Sequence, residues 1–336
     1  MILVTGGTGF LGSHLLLELV REHEEVVAIK RPSSDLEEVR QVFSYYSGEA
    51  GELFKLIDWV DIDLMNAAEV ERVMIDIDQV YHCAGMVSFQ PRDARRMFDF
   101  NVRSTETLVD ACLETGVNRL LHVSSSSAIG RSPEGVPANE SMIWARSKTS
   151  TAYSFSKFKS EMEVWRGIEE GLNGLIVNPS IILGPGFWDR GSSVMFSRVA
   201  RGLKYATPGM TGYVGIQDVV AAMTQLMASG LSGERYILSA SDHTYAEVLE
   251  IIAAAMGKPR KMKLLTPSTL RALARFDAVK GFFTGKRSLT SEQAKAAFRQ
   301  SMFSSDKVRE ALGFEFTPVK EVIERVAGYY RAAHRG

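Results

Sequence analysis

Short apolar runs alternate along this chain with longer stretches whose apolar residues recur at helical spacing. The runs Ile2 to Thr5, Val26 to Ile29, Lys55 to Val60, Gln79 to Cys83, Arg119 to Ser124, Gly174 to Asn178 and Arg235 to Leu238 predict strands. Gly12 to Glu22, Ala67 to Met74, Arg92 to Thr115 and Thr151 to Glu170 predict helices. Such alternation predicts the α/β class: a doubly wound parallel sheet covered by helices on both faces. After Pro179 the rhythm changes. Gly184-Pro185-Gly186 opens an irregular stretch to Gly215, then come a short return to helix and strand and mostly helical sequence to the end. The expected organisation is a first domain over residues 1–178, with the segment around 215–240 returning to it. Residues 179–336 then form a smaller, mostly helical cap over the C-terminal edge of the sheet.

The first strand runs into Thr5-Gly6-Gly7-Thr8-Gly9-Phe10-Leu11-Gly12, and a helix follows. Strand, glycine turn and helix N-terminus together make a dinucleotide pyrophosphate site, because backbone N–H groups and the helix dipole face the phosphates. Gly6, Gly9 and Gly12 satisfy one known spacing and Gly7, Gly9 and Gly12 another, so the turn alone does not separate them. At the end of the second strand, about 20 residues on, NAD-binding units place an acid for the ribose hydroxyls. Here Lys30-Arg31-Pro32-Ser33-Ser34 stands instead, with Lys30 18 residues after Gly12. Lys30 and Arg31 suit a 2′-phosphate, so NADP is the expected cofactor and NAD the second choice.

Composition narrows the partners. The chain has 336 residues, 45 % hydrophobic and 24 % charged, with a formal net charge of −1. That is ordinary for a globular protein and offers no electrostatic footprint for nucleic acid. No apolar run approaches the roughly 20 residues a membrane span needs. The first residues are already strand and turn, and Cys83 and Cys112 make no disulfide framework, so a cytoplasmic location is expected. The histidines show no ligand spacing, and no metal is expected.

Chemistry enters at Tyr153-Ser154-Phe155-Ser156-Lys157, where Tyr153 and Lys157 share a helix face. A nearby ammonium stabilises a phenolate and brings the phenol pKa down from about 10, which makes it usable in proton transfer. The strand Leu120 to Val123 ends in Ser124-Ser125-Ser126-Ser127, placing hydroxyls at the same sheet edge. Met86, Phe89, Trp188, Met195, Phe196 and Tyr213 are candidates for an apolar substrate pocket, with core packing the competing reading for each.

With these motifs in view, the sequence resembles the extended short-chain dehydrogenase/reductase family, a Rossmann-fold family, along essentially the whole chain. The resemblance implies that the turn from Gly6 to Gly12, including Thr8, Phe10 and Leu11, binds the nucleotide. It also implies that Asp63 and Leu64 lie at the adenine, and that Ala84 and Gly85 in His82-Cys83-Ala84-Gly85 flank the cofactor. The segment Val177 to Gly186, with Pro179, Ser180 and Ile182, would pass the nicotinamide. Asn101-Val102-Arg103-Ser104-Thr105 and Gly215-Ile216-Gln217-Asp218-Val219 match further family segments. Ser125, Tyr153 and Lys157 fall on the family's catalytic positions. There Ser125 would hydrogen-bond the substrate oxygen, Tyr153 would exchange its proton, and Lys157 would bind the ribose and lower the Tyr153 pKa.

The expected activity is hydride transfer between a nicotinamide and a carbonyl or alcohol of a small, apolar substrate. Dihydroflavonol reductases and 3β-hydroxysteroid dehydrogenases are the most similar members in character. Sugar-nucleotide epimerisation is the alternative. Dehydratases of the family carry an Asp-Glu pair where Ser126-Ser127 stand here. A nucleotide-binding regulator without catalysis is the third reading, and the Ser–Tyr–Lys set argues against it. A homodimer through the helices Arg92 to Thr115 and Thr151 to Glu170 is a further expectation from the family.

Overall fold

Neighbouring residues of the first strand end in different cores. Ile2 and Val4 pack into one apolar cluster with Leu15, Leu16 and Leu19, while Leu3 packs into another with Leu108, Val109 and Val164. Side chains that alternate across a strand can do this only if both faces of the sheet are covered. The computed structural model describes residues 1–23, 25–147, 150–270, 272 and 297–334.

The first half of the chain runs β1 (Ile2–Thr5), α1 (Phe10–Glu22), β2 (Val26–Lys30), α2 (Glu37–Tyr46), α3 (Ala50–Lys55), β3 (Ile57–Asp61), α4 (Ala67–Val73), β4 (Gln79–His82), α5 (Ala94–Thr115), β5 (Arg119–Val123), α6 (Ala152–Glu169) and β6 (Gly174–Pro179). Then come β7 (Ile181–Leu183), α7 (Val194–Ala200), β8 (Tyr205–Ala206), β9 (Met210–Gly215), α8 (Ile216–Ala228), β10 (Glu234–Leu238), β11 (Ser241–Thr244), α9 (Tyr245–Ala255) and β12 (Lys263–Leu264). The described part closes with α10 (Asp306–Leu312) and α11 (Val319–Ala333).

Seven strands form one parallel sheet in the order β3-β2-β1-β4-β5-β6-β10. The chain moves outward from β1 to β3 and then returns to place β4 on the other side of β1. At that reversal the connections leave the sheet in opposite directions and open a crevice at the strands' C-terminal ends. Helices α1 and α8 cover one face, and α4, α5 and α6 the other. A three-stranded sheet, β7-β9-β11, packs with α7, α9 and α11 around a third cluster that includes Phe196, Tyr213, Ile252 and Ile323.

Every predicted strand is present. The third is shorter than expected, because Ala50–Lys55 is the helix α3 and the strand begins at Ile57. Helices α2 and α3 were not predicted. The signal was there: Val39, Val42 and Phe43 recur at helical spacing and are the buried face of α2. The stretch from Gly184 to Gly215, read as irregular, contains α7 and β9. The helical expectation for residues 271 and 273–296 lies outside the described residues.

Candidate active site

The crevice is a cleft of about 1750 Å³. That exceeds the roughly 300–1,000 Å³ typical of a small-molecule pocket, so it has room for a dinucleotide and a second reactant.

Its floor is the glycine turn. Gly6 has a φ of +69°, and a Cβ there would lie 2.6 Å from the Ala84 nitrogen. A Cβ on Gly12 would lie 2.2 Å from the Gly6 oxygen, so the start of α1 can sit against the turn only without a side chain. The Gly9 N–H donates to the Gly6 carbonyl at 2.9 Å, which closes the turn. Thr5 ties this turn to β4: its hydroxyl accepts from the Ala84 N–H at 3.1 Å and pairs with His82 Nδ1 at 2.7 Å. The backbone cradle that these glycines permit fits a dinucleotide diphosphate.

Gly6, Thr8, Gly9 and Phe10 line the cleft; Leu11 and Gly12 are buried behind it in α1. At the far end lie Lys30, Arg31, Asp63 and Leu64. The Lys30 ammonium is 2.5 Å from Asp61 Oδ1, so it is paired within the protein, whereas Arg31 holds its place through its backbone N–H to Ser34 Oγ at 3.2 Å. Asp63 accepts from the Met65 N–H at 3.0 Å.

Ala84, Gly85, Met86 and Phe89 continue the wall. Asn101 on α5 holds this loop in place. Its Oδ1 accepts from the Met86 N–H at 2.7 Å, and its Nδ2 donates to the Met86 carbonyl and to Ser156 Oγ, both at 3.0 Å.

Thr151 and Ser154 form a reciprocal cap that starts α6 immediately before Tyr153. The Tyr153 and Ser125 hydroxyls stand close enough for Ser125 to act on the Tyr153 phenol, and both line the cleft. Ser125 also accepts from the Ser127 N–H at 3.2 Å and the Ser127 hydroxyl at 3.0 Å. Burial pushes the Tyr153 phenol above its ordinary pKa, and Ser125 draws it back down. Lys157, expected to lower it as well, makes no hydrogen bond to Tyr153: its Nζ donates to the Val123 carbonyl at 2.8 Å, below the cleft surface, so any effect on the phenol acts through charge alone. A Cβ on Gly85 would be 3.7 Å from Lys157 Nζ, so the ammonium lies just behind this cleft-lining glycine. Burial pulls the Lys157 pKa down to about 8 against the opposing pull of Glu161 and Cys83. Burial likewise drives Cys83 up to about 12, which makes it a poor nucleophile although it lines the cleft.

Ser180 and Ile182 reach the cleft, but Pro179 is buried in β6 beside Leu238 of β10. Three expected substrate contacts are corrected. Tyr213 has no exposed surface and sits in the core of the three-stranded sheet. Trp188 packs edge-on against Tyr330 and donates from Nε1 to the Tyr45 hydroxyl at 3.0 Å, outside the cleft wall. An aromatic residue after the sheet was read as a pocket residue, but the smaller sheet needs a core of its own. Phe196 is likewise fully buried in that core, whereas the expected Met195 does line the cleft, together with Met210 and Met302. The sequence reading also passed over Glu161, although it stands four residues from Lys157 and so on the same helix face.

The parallel sheet and its glycine-lined turn are those of a nucleotide-dependent enzyme with a Rossmann-like fold. Residues 2–239 match the NAD dependent epimerase/dehydratase family, and the chain belongs to it. It is similar to sterol demethylase protein B of Methylococcus capsulatus, at 30 % identity over 276 residues, which is 81 % of this chain and 79 % of that one. It is also similar to a putative dihydroflavonol 4-reductase of Synechocystis, at 25 % identity over 98 % of this chain and 94 % of that one. A solved UDP-glucose 4-epimerase from Thermotoga maritima shares the fold, with a TM-score of 0.77, 21 % identity and 99 % of each chain covered.

Gly12→Ala tests the cradle. The added methyl meets backbone, which cannot swing aside, so the variant is expected to lose detectable NAD(P)H binding by fluorescence titration. Overpacking of this kind typically costs about 1–3 kcal/mol, and the thermal midpoint should fall with it. Unchanged binding would contradict the assignment of this turn to the diphosphate.

Proposed function

We propose that the protein is an NAD(P)-dependent oxidoreductase that interconverts a carbonyl and an alcohol, with Ser125, Tyr153 and Lys157 as its reacting set. The observation that carries this reading is the placement of Tyr153 beside Ser125 at the wall of the cleft that the glycine turn floors. A bound nicotinamide supplies or accepts the hydride. The chain's own residues manage the oxygen. Ser125 orients it by hydrogen bonding, and Tyr153 donates its proton during reduction or takes it during oxidation. Lys157, one turn along α6, puts positive charge beneath the site and favours the phenolate that reduction leaves on Tyr153.

The substrate body is apolar. Met86, Val87, Phe89, Met195, Met210 and Met302 are among the residues that line the cleft, with Phe89 against the Tyr153 ring. Methionines adapt to irregular apolar shapes, and relatives named for a sterol and for a dihydroflavonol agree with a bulky ring system. On this reading the cofactor is NADP. Lys30 is paired with Asp61, so discrimination rests on Arg31 beside Ser34.

Two variants test these assignments. Tyr153→Phe keeps the ring and should bind NADPH normally, yet turn over a panel of ketones, sterones and aldehydes about 10²–10⁴ times more slowly. Turnover at the wild-type rate would overturn the mechanism, and conversion of UDP-sugars in place of the carbonyl panel would favour epimerisation. Arg31→Ala should weaken NADPH about tenfold or more, as loss of a charge-assisted hydrogen bond does, while leaving NADH within a factor of a few. Equal losses for both cofactors would contradict the 2′-phosphate assignment.

A further inference from the structure

One turn beyond Lys157 on α6, Glu161 is only 1 % exposed, yet its carboxylate is among the most heavily bonded groups in the protein. Oε2 accepts from Ser124 Oγ at 2.7 Å and from Asn178 Nδ2 at 2.8 Å. Oε1 faces Arg235 Nη1 at 2.7 Å and Trp165 Nε1 at 3.4 Å. Arg235 in turn donates to the carbonyls of Glu140 and Met142, the loop whose Met142 carbonyl also receives the Gly130 N–H. None of these groups touches the reacting hydroxyls, and a buried ion pair costs desolvation that its attraction need not recover. Stability alone is a weak reason for it.

Its placement supplies another reason. Lys157 Nζ binds the carbonyl of Val123, and Glu161 binds the side chain of the next residue, Ser124. Asn178 bridges from Glu161 to the Ser125 carbonyl at 3.1 Å. The carboxylate therefore holds both neighbours of the Tyr153 hydroxyl: the strand end that presents Ser125, through two hydrogen bonds, and the ammonium of Lys157, through charge.

We infer that Glu161 is a positioning residue for the reaction: its buried carboxylate keeps Lys157 protonated at the working pH and fixes the Ser124–Ser125 strand end against α6. The inference rests on the reading of Ser125, Tyr153 and Lys157 given above. Lys157 needs such a counter-charge because little else around it supplies one. From β4 and the residue after it Lys157 faces His82 and Cys83, from β5 His122, and on its own helix Glu161. Burial keeps His82 and His122 far below the ordinary histidine range, hence neutral, and keeps Cys83 a thiol. Among these groups Glu161 carries the negative charge, and Arg235 behind it offsets part of that charge.

The test is the pH dependence of carbonyl reduction. Wild-type activity should fall as pH rises through the Lys157 pKa, near 8, because the ammonium that steadies the Tyr153 phenolate is then lost. Glu161→Gln removes the counter-charge and leaves Arg235 uncompensated. Both changes move that basic limb to lower pH, by on the order of one unit, as loss of a close opposite charge does. Glu161→Asp keeps the charge on a shorter stem, so it should lower the rate while leaving the limb at the wild-type pH. A purely structural glutamate would lower the rate in both variants without moving the limb in either. A Glu161→Gln limb at the wild-type pH would overturn the inference. If Glu161→Gln does not fold, a Glu161→Asp limb displaced to lower pH would overturn it equally. An unmoved limb alongside an inactive Tyr153→Phe removes only the role of Glu161, whereas a fully active Tyr153→Phe removes the reading beneath it.

Discussion

A protonated lysine that meets almost no water constrains the centre of this protein more than any other group. Lys157 is 4 % exposed, and burial of an ammonium is costly unless hydrogen bonds and an opposite charge compensate. The fold compensates with the Val123 carbonyl, the last residue of β5, and with Glu161 one turn along α6. To meet both, α6 must lie across the C-terminal end of β5 at close range. Gly167 makes part of that approach possible on the α5 side, since a Cβ there would lie 2.5 Å from Val109 Cγ1. The same placement carries Tyr153 to the Ser125 hydroxyl. The chemistry of the cleft and the burial of the lysine are thus one packing problem.

The second constraint is the close approach of the glycine turn to β4. Ala84 and Gly6 nearly touch, and the Thr5 hydroxyl links the Ala84 N–H to the His82 ring. His82 continues to Thr105 on α5 at 3.0 Å, and His122 pairs with Ser160 on α6 at 3.2 Å. These contacts fasten the nucleotide end of the cleft to the two helices that flank the Ser125 and Tyr153 hydroxyls. Buried polar groups are costly without partners, and these bonds hold the geometry even though His122 Nδ1 finds none.

Most of the frame was legible because it depends on periodicity. A run such as Ile2-Leu3-Val4 between polar boundaries reads as a doubly covered strand, and the structure sorts its residues to opposite faces. The glycine turn, Ser125 and Tyr153 were legible because each needs a particular residue type at a fixed distance from a sheet end. What escaped the sequence was set by tertiary packing. Tyr213 and Trp188 looked like pocket residues, but nothing local tells whether an aromatic side chain faces a cleft or the core of a second, smaller sheet. The role of Lys157 toward Tyr153 was read from their spacing and from the family resemblance. Its actual hydrogen bond goes to a carbonyl from a distant strand, which spacing does not reveal. Glu161 was missed because a glutamate four residues from a lysine is ordinarily a solvated helix pair; only the return of β10 with Arg235 buries this one.

The central claim is net hydride transfer between nicotinamide and a carbonyl carbon. Turnover of a ketone substrate with NADPH deuterated at the transferring C4 position, followed by mass spectrometry of the product, tests it most directly. The account predicts one deuterium on the carbinol carbon of the product and one equivalent of NADP⁺ formed for each alcohol. Product formed without net cofactor oxidation, or with its new hydrogen drawn from solvent, would contradict it.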